Sequence, residues 1–118
     1  MIHGMHVLLY STDAAADRAF LRDVLGWPSV EDGGPEPGWL IFKAPPTEVG
    51  VHPTNEQPMT EAHLMCDDIT ATVASLAARG VPVGVVTDQG YGLVTTITLP
   101  SGMELGLYEP RHEIALNL

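Results

Sequence analysis

The chain has few of the groups that several functional classes depend on. It contains five Lys and Arg against fifteen Asp and Glu, a net charge of −10, and its cations are scattered. Nucleic acids and anionic membranes are bound by clustered basic residues, so the sequence predicts neither as a partner. No apolar run approaches the ~20 residues that a transmembrane helix needs.

Cysteine is almost absent as well. The single Cys66 excludes an intrachain disulfide and agrees with a reducing compartment. The first residues, MIHGMHVLLYSTD, lack the basic and apolar regions of a signal peptide. We therefore expect a cytoplasmic protein, and its 118 residues with 45% apolar content suffice for one compact domain.

An internal duplication organises what is present. Each half opens on a His-led apolar segment, at His6 and at His63, and continues with an Ala-rich helix that ends at a glycine. Each half closes on a Glu-bearing segment, at Glu48 and at Glu104, after almost equal separations. The sequence thus predicts one α+β domain, 1–118, with module 1 at about 4–53, a linker at 54–61, module 2 at about 62–110 and a C-terminal extension at 111–118.

Local signals place the elements within each module. Asp13 and the Asp67-Asp68 pair are N-caps for helices over 14–25 and from Ile69 to Arg79. Short apolar, β-prone segments predict strands at 6–10, 39–42, 48–51, 62–66, 81–86, 94–99 and 103–108. Each module is then β, α and two or three further strands.

Strand alternation assigns faces to these residues, because side chains two apart point the same way. In the closing strands Val49, Val51, Leu105 and Leu107 are expected to meet the helices. The opposite faces then line a cleft, with His6, Tyr10, Glu48, His52, His63, Glu104 and Tyr108.

Two chemistries fit such a cleft. Two imidazoles and a carboxylate can hold a divalent metal with open positions, which polarises adjacent substrate oxygens as a Lewis acid. Without a metal, the same cleft is an apolar pocket with aromatic walls that holds a small molecule. Strand histidines and aromatics also serve as ordinary packing residues, and strand carboxylates as solvated surface groups.

The chain resembles the vicinal oxygen chelate superfamily, which includes glyoxalase I, extradiol dioxygenases and bleomycin-resistance proteins. The resemblance extends over roughly 5–110. Its motifs are His6-Val-Leu-Leu-Tyr10, Phe20-Leu-Arg-Asp-Val-Leu-Gly-Trp27, His63-Leu-Met-Cys-Asp-Asp68, Leu76-Ala-Ala-Arg-Gly-Val81, and the turn Pro100-Ser-Gly102 before Glu104-Leu-Gly-Leu-Tyr-Glu-Pro110. It implies two tandem βαβββ modules whose curved mixed sheets enclose a cleft, with helices outside, in a homodimer.

The resemblance also implies a site. Its metal ligands would be His6, His63 and Glu104, binding Fe, Ni, Mn, Co or Zn, with Glu104 and Tyr108 as catalytic groups. In the metal-dependent interpretation Tyr108 or His52 positions the substrate or moves a proton. In the metal-free interpretation Tyr10, Trp39, Met65 and Tyr108 bind an apolar ligand. The chain departs from the family pattern in one respect: the ligand Glu aligns with Gly106, and its counterpart in module 1 with Gly50. Glu104 and Glu48 stand two residues earlier on the same faces.

Three functions follow as alternatives. The first is a metal-dependent lyase or dioxygenase acting on a substrate with vicinal oxygens. The second is a metal-free protein that binds and sequesters an antibiotic or aromatic metabolite. The third is a structural or regulatory partner that uses the fold without a site, since a fold does not determine a function.

Overall fold

A four-stranded mixed sheet in the second half organises the chain. The computed structural model describes residues 6–31, 40–51 and 53–118. In chain order the elements are α1 (Ala14–Asp23), β1 (Ser29–Glu31), β2 (Leu40–Phe42), β3 (His63–Met65), α2 (Ile69–Ala78), β4 (Thr87–Asp88), β5 (Gly92–Thr98), β6 (Glu104–Pro110) and a 3-10 turn at Ala115–Asn117. Strands β1 and β2 form an antiparallel pair, and the larger sheet has the order β3-β6-β5-β4, with β3 parallel to β6. The predicted α+β class, with two helices and mixed sheets, is confirmed.

Both helices begin at the aspartates that the sequence indicates. The side chain of Asp13 accepts a hydrogen bond from the Ala16 amide at 3.2 Å, and that of Asp68 from the Ala71 amide at 3.1 Å. Each carboxylate satisfies an amide that has no partner within the helix. None of the helices in the described ranges has the length and apolarity that crossing a membrane requires.

The hairpin of β5 and β6 forms one side of the core. Its strands pair from Gly92 with Pro110 to Thr98 with Glu104. Leu105, Leu107 and Ile97 point to the helices and are 5%, 2% and 0% exposed. The remaining buried apolar residues are Phe20, Leu21, Ile69, Leu76, Val81 and Leu99. The predicted orientation of Leu105 and Leu107 is therefore confirmed.

The first half differs from the prediction. Residues 6–10 and 48–51 form no strand, and Val49 and Val51 are 72% and 95% exposed instead of facing a helix. An apolar segment becomes a strand only where a neighbouring strand pairs with its backbone. In the described part of the chain neither segment has such a neighbour, since β1 and β2 pair only with each other. The tandem βαβββ arrangement is not confirmed, although the second half does run β, α, β, β, β.

The strand predicted at 81–86 is also wrong. Only Val83 bridges to Ile97, and the regular pairing begins later, at Thr87. Pro82 has no amide hydrogen to donate, although its carbonyl oxygen accepts from the Thr98 amide at 3.0 Å. This segment therefore follows the edge of β5 without forming a continuous ladder.

Polar contacts join the two halves around the core. Asp17 of α1 is 6% exposed. Its carboxylate accepts hydrogen bonds from the Ser101 amide at 3.1 Å and the Ser101 hydroxyl at 2.7 Å. At the other end of α1 the Arg79 guanidinium donates to the carbonyl oxygens of Asp23 and Val24 at 3.0 and 3.1 Å. These bonds fix α1 against the turn that joins β5 to β6 and against the end of α2.

We predict that Asp17→Ala lowers the free energy of unfolding by about 2 kcal/mol, because it leaves the half-buried amide and hydroxyl of Ser101 without their acceptor. Ser101→Ala should cost less, and the double variant should show a coupling of about 1 kcal/mol in urea denaturation. Asp23→Ala, an exposed carboxylate of the same helix, is the matched control and should change stability little. Strictly additive effects of the Asp17 and Ser101 changes would contradict the assignment.

Candidate functional site

The candidate site lies on the surface of the four-stranded sheet that faces away from the helices, which we call the open face. Because Leu105 and Leu107 point to the core, their neighbours in β6 point to the open face. In β3 the core residue is Leu64, so His63 and Met65 share the open face. The open-face residues are His63 and Met65 of β3, Glu104, Gly106 and Tyr108 of β6, and Gly92, Val94 and Thr96 of β5.

The imidazole of His63 lies directly over Gly106, its partner in the parallel pair. A Cβ atom at Gly106 would stand 1.9 Å from His63 Nδ1 and 2.6 Å from Cγ, far inside contact distance. The ring therefore occupies the space that any side chain at 106 would need. Its other nitrogen, Nε2, lies 3.2 Å from Glu61 Oε2.

The ring of Tyr108 lies over a second glycine, Gly92, in the same way. A Cβ atom at Gly92 would stand 2.3 Å from Tyr108 Cε2 and 2.6 Å from the Glu109 carbonyl oxygen. The phenol ring thus lies against β5, and its hydroxyl donates to the Tyr91 carbonyl oxygen at 3.5 Å. Burial, and after it the negative charge of Glu48 and the presence of Tyr91, raises the pKa of Tyr108, so the phenol stays a neutral donor at physiological pH.

Three further rings surround that of Tyr108. Its centroid lies 6.3 Å from His63 at an interplanar angle of 70°, 5.9 Å from Tyr91 at 65°, and 5.8 Å from His112 at 32°. The first two pairs have the edge-to-face geometry that aromatic quadrupoles favour. We call these four residues, His63, Tyr91, Tyr108 and His112, the ring cluster.

The structure brings only some of the predicted site residues together. His63, Met65 and Tyr108 are neighbours on the open face, where Met65 pairs with Tyr108. Glu104 shares this face but lies two residues from Gly106, roughly 7 Å along the strand. His6 and Tyr10 lie in the irregular segment 6–10, both exposed, Tyr10 by 87%.

Two predicted residues, Trp39 and His52, lie outside the described residues. Two ring-cluster residues, Tyr91 and His112, are absent from the predicted set. The turn at 100–102 was a usable signal, because a hairpin built around it pairs Gly92 with Pro110. That register places Tyr91, which precedes Gly92, and His112, two residues after Pro110, at the same end of the sheet.

The donor set does not fit the metal that the resemblance implies. Across 6–31, 40–51 and 53–118, no three His, Cys, Asp or Glu side chains are grouped so that they could hold a metal ion. The position expected to supply a carboxylate is Gly106, and the His63 ring fills the space there. His6, His63 and Glu104 therefore do not form a three-ligand site among these residues.

Comparisons with known proteins agree on the fold. No protein-family model matches the chain, and no curated protein does. Solved structures are similar over almost the whole chain. An antibiotic binding protein, TnmS3, from Streptomyces sp. CB03234 is 23% identical, with 93% of this chain and 99% of that one covered and a TM-score of 0.64.

Two other solved structures give the same result. Lactoylglutathione lyase from Agrobacterium tumefaciens is 20% identical, with 91% and 92% covered and a TM-score of 0.63. A member of the glyoxalase/bleomycin resistance protein/dioxygenase superfamily from Sphaerobacter thermophilus DSM 20745 is 19% identical, with 92% and 98% covered and a TM-score of 0.61. The chain therefore has the fold of the glyoxalase/bleomycin resistance/dioxygenase superfamily, as its sequence motifs indicate. At these identities the fold does not choose between binding and catalysis.

The two glycines give a direct test of the ring cluster. We predict that Gly92→Ala lowers the free energy of unfolding by about 2 kcal/mol, because the methyl group would overlap both the Tyr108 ring and backbone that cannot yield. Gly106→Ala should cost about 1 kcal/mol, since the half-exposed His63 ring can swing into solvent. Gly50→Ala, with nothing within 4 Å of its added methyl group, is the control and should not destabilise the protein.

Denaturation in urea gives the three stabilities, and the NMR signals of the His63 ring report its displacement in Gly106→Ala. Equal stabilities for all three variants, or an unmoved His63 signal, would contradict this account of the site.

Proposed function

We propose that the protein binds a flat aromatic small molecule on the open face without using a metal. The observation that carries this proposal is the pair of rings at the centre of the ring cluster, His63 and Tyr108, which lie against the sheet because glycines stand beneath them. Rings pressed onto a sheet present broad faces, which suit a ligand that stacks. Such a ligand gains about 0.5–1.5 kcal/mol per aromatic pair beyond the area it buries.

Groups around the cluster supply the rest of a binding site. Met65 is a flexible apolar neighbour of Tyr108 and can adapt to ligand shape. Thr96 and Glu104 lie on the same face as polar groups that can orient a ligand, in the few-polar-groups pattern of small-molecule sites. Tyr10, Trp39 and His52 remain predicted contacts from the first half.

The departure at Gly106 favours binding over metal-dependent catalysis. A lyase or dioxygenase of the predicted type requires His6, His63 and a carboxylate to converge on one ion. With His63 lying over Gly106 and its Nε2 beside Glu61, that convergence would require the ring to move. The similarity to an antibiotic binding protein supports a binding role, although the similarity to a lyase of the same fold is nearly as close.

A panel of flat aromatic compounds and antibiotics, compared with aliphatic compounds of similar size, tests this function. A ligand present at a concentration about one hundred times its Kd should stabilise the protein by about 2.7 kcal/mol. Thermal denaturation detects a change of this size readily. Tyr108→Leu should weaken binding about tenfold, equivalent to ~1.4 kcal/mol. The matched control is Tyr91→Phe, which keeps the ring and should keep the affinity. Silence of the whole panel would contradict the proposal.

Metal binding distinguishes the metal-dependent enzyme from the metal-free binding protein. We expect Fe(II), Ni(II), Mn(II), Co(II) and Zn(II) to leave the thermal midpoint unchanged. Stoichiometric binding of one of them, abolished by His6→Ala, His63→Ala and Glu104→Ala separately, would replace the binding function by metal-dependent catalysis.

We also propose that the protein acts as a homodimer. Several apolar side chains of the first half are exposed in the single chain: Val7 61%, Leu8 55%, Val30 66%, Val49 72% and Val51 95%. Exposed apolar surface of this kind is typical of protein interfaces, and a second copy would cover it. We predict that Leu8→Asp and Val51→Asp shift the protein from dimer to monomer in analytical ultracentrifugation. Val85→Asp, at an exposed valine of the second half, should leave the dimer intact. A monomeric parent protein would contradict this.

A further inference from the structure

The C-terminal residues 111–118, expected as a simple extension, fold back along the ring cluster, and we call them the strap. At its start the Arg111 amide donates to the Tyr91 carbonyl oxygen at 2.8 Å, and the Arg111 guanidinium lies 3.1 Å from the Asp88 carboxylate. Next along the strap the His112 ring lies against Tyr108. Further on, the Ala115 amide donates to the side chain of Glu48. The strap thus extends from the end of β6, past Tyr108, to the first half of the chain.

The contacts that hold the strap in this position contribute little to stability. The ion pair of Arg111 with Asp88 has side chains that are 48% and 60% exposed, and exposed pairs stabilise little. The 3-10 turn at Ala115–Asn117 buries no residue, and Leu116 and Leu118 are 41% and 101% exposed. No strap residue belongs to the described hydrophobic core. Segments with few buried contacts open at low free energy.

We propose that the strap, with its own ring His112, is a displaceable cover of the Tyr108 ring. In the closed position His112 occupies the side of Tyr108 on which a flat ligand would stack, and Glu48 secures the strap by accepting from Ala115. A ligand and His112 therefore compete for the same ring, and the apparent Kd equals the intrinsic Kd divided by the fraction of molecules with the strap open. This inference rests on the proposed binding function, but the closed strap itself can be tested without a ligand.

The role assigned to Glu48 differs from that of a metal ligand. Its charge lies near enough to Tyr108 to raise the pKa of the phenol, and its carboxylate accepts from a backbone amide. Both observations place Glu48 at the end of the ring cluster where the strap crosses. Its removal should open the strap while leaving the hydrophobic core unchanged.

Hydrogen exchange at the Ala115 amide tests the closed strap. We expect exchange to be at least threefold faster in Glu48→Ala than in the parent protein, with Glu48→Gln, which keeps an acceptor oxygen, in between. Glu113→Ala is the matched control, because it removes a strap carboxylate that does not bind the Ala115 amide, and it should leave the rate unchanged. Equal rates in the parent protein and Glu48→Ala would overturn the closed strap.

Binding of proflavine, a flat tricyclic aromatic dye, tests the competition. We expect Glu48→Ala, His112→Ala and the chain ending at Pro110 each to bind proflavine three- to tenfold more tightly than the full chain. The dye should also speed exchange of the Ala115 amide in the parent protein. Unchanged or weaker binding by the two point variants would overturn the cover, and it would do so even if the shortened chain failed to fold.

The two proposals fail in different ways. If no variant binds proflavine and the aromatic panel is also silent, the proposed function and the competition are both overturned, while the exchange rates still decide whether the strap is closed. If the panel binds but the strap variants do not gain affinity, only the cover is overturned.

Discussion

The pairing of β5 with β6 is the constraint on which both the core and the candidate site depend. Its register is set by the turn at 100–102, where the Gly102 amide donates to the Leu99 carbonyl oxygen and the Leu99 amide to that of Met103. Because successive side chains of a strand alternate, this register sends Ile97, Leu105 and Leu107 to the helices. The same alternation leaves Gly106 and Tyr108 on the open face. A slip by one residue would exchange the two sets, so the core holds the site in place.

Much of the second half could be predicted from sequence because its signals are local. Asp68 caps α2 through an amide three residues away, and the turn at 100–102 joins strands that are adjacent in sequence. The first half shows the limit of the same reasoning. Val49 and Val51 have the alternation of Leu105 and Leu107, yet they lie in no strand. Alternation indicates which face a strand would bury, but it does not identify a partner strand. Whether two distant segments pair depends on the tertiary context and not on either segment alone.

The sequence predicts residues of the open face, but neither their contacts nor the two further rings beside them, Tyr91 and His112. Strand alternation places His63 and Met65 on one face of their strand and Glu104 and Tyr108 on one face of theirs. That the His63 ring lies over Gly106 depends on the parallel register of β3 and β6, which joins residues far apart in sequence. Tyr91 and His112 enter the cluster for a similar reason, since each lies beside the end of a paired strand. Register is a tertiary property, and it decides which side chains of one face meet.

Gly106 bears on which of the two chemistries predicted from the sequence the open face can support. A residue with a carboxylate at this position and the observed ring of His63 cannot both occupy the space above β6, because even a Cβ atom there would lie 1.9 Å from Nδ1. A carboxylate would therefore require the imidazole to turn away from the sheet, where it becomes free to face an ion. With glycine at 106, the imidazole of His63 packs against the sheet next to the ring of Tyr108 instead. In this chain the missing side chain at 106 leaves room for the ring of His63 beside that of Tyr108. The duplication seen in the sequence leaves this choice open, since it repeats the histidine without requiring either state of its neighbour.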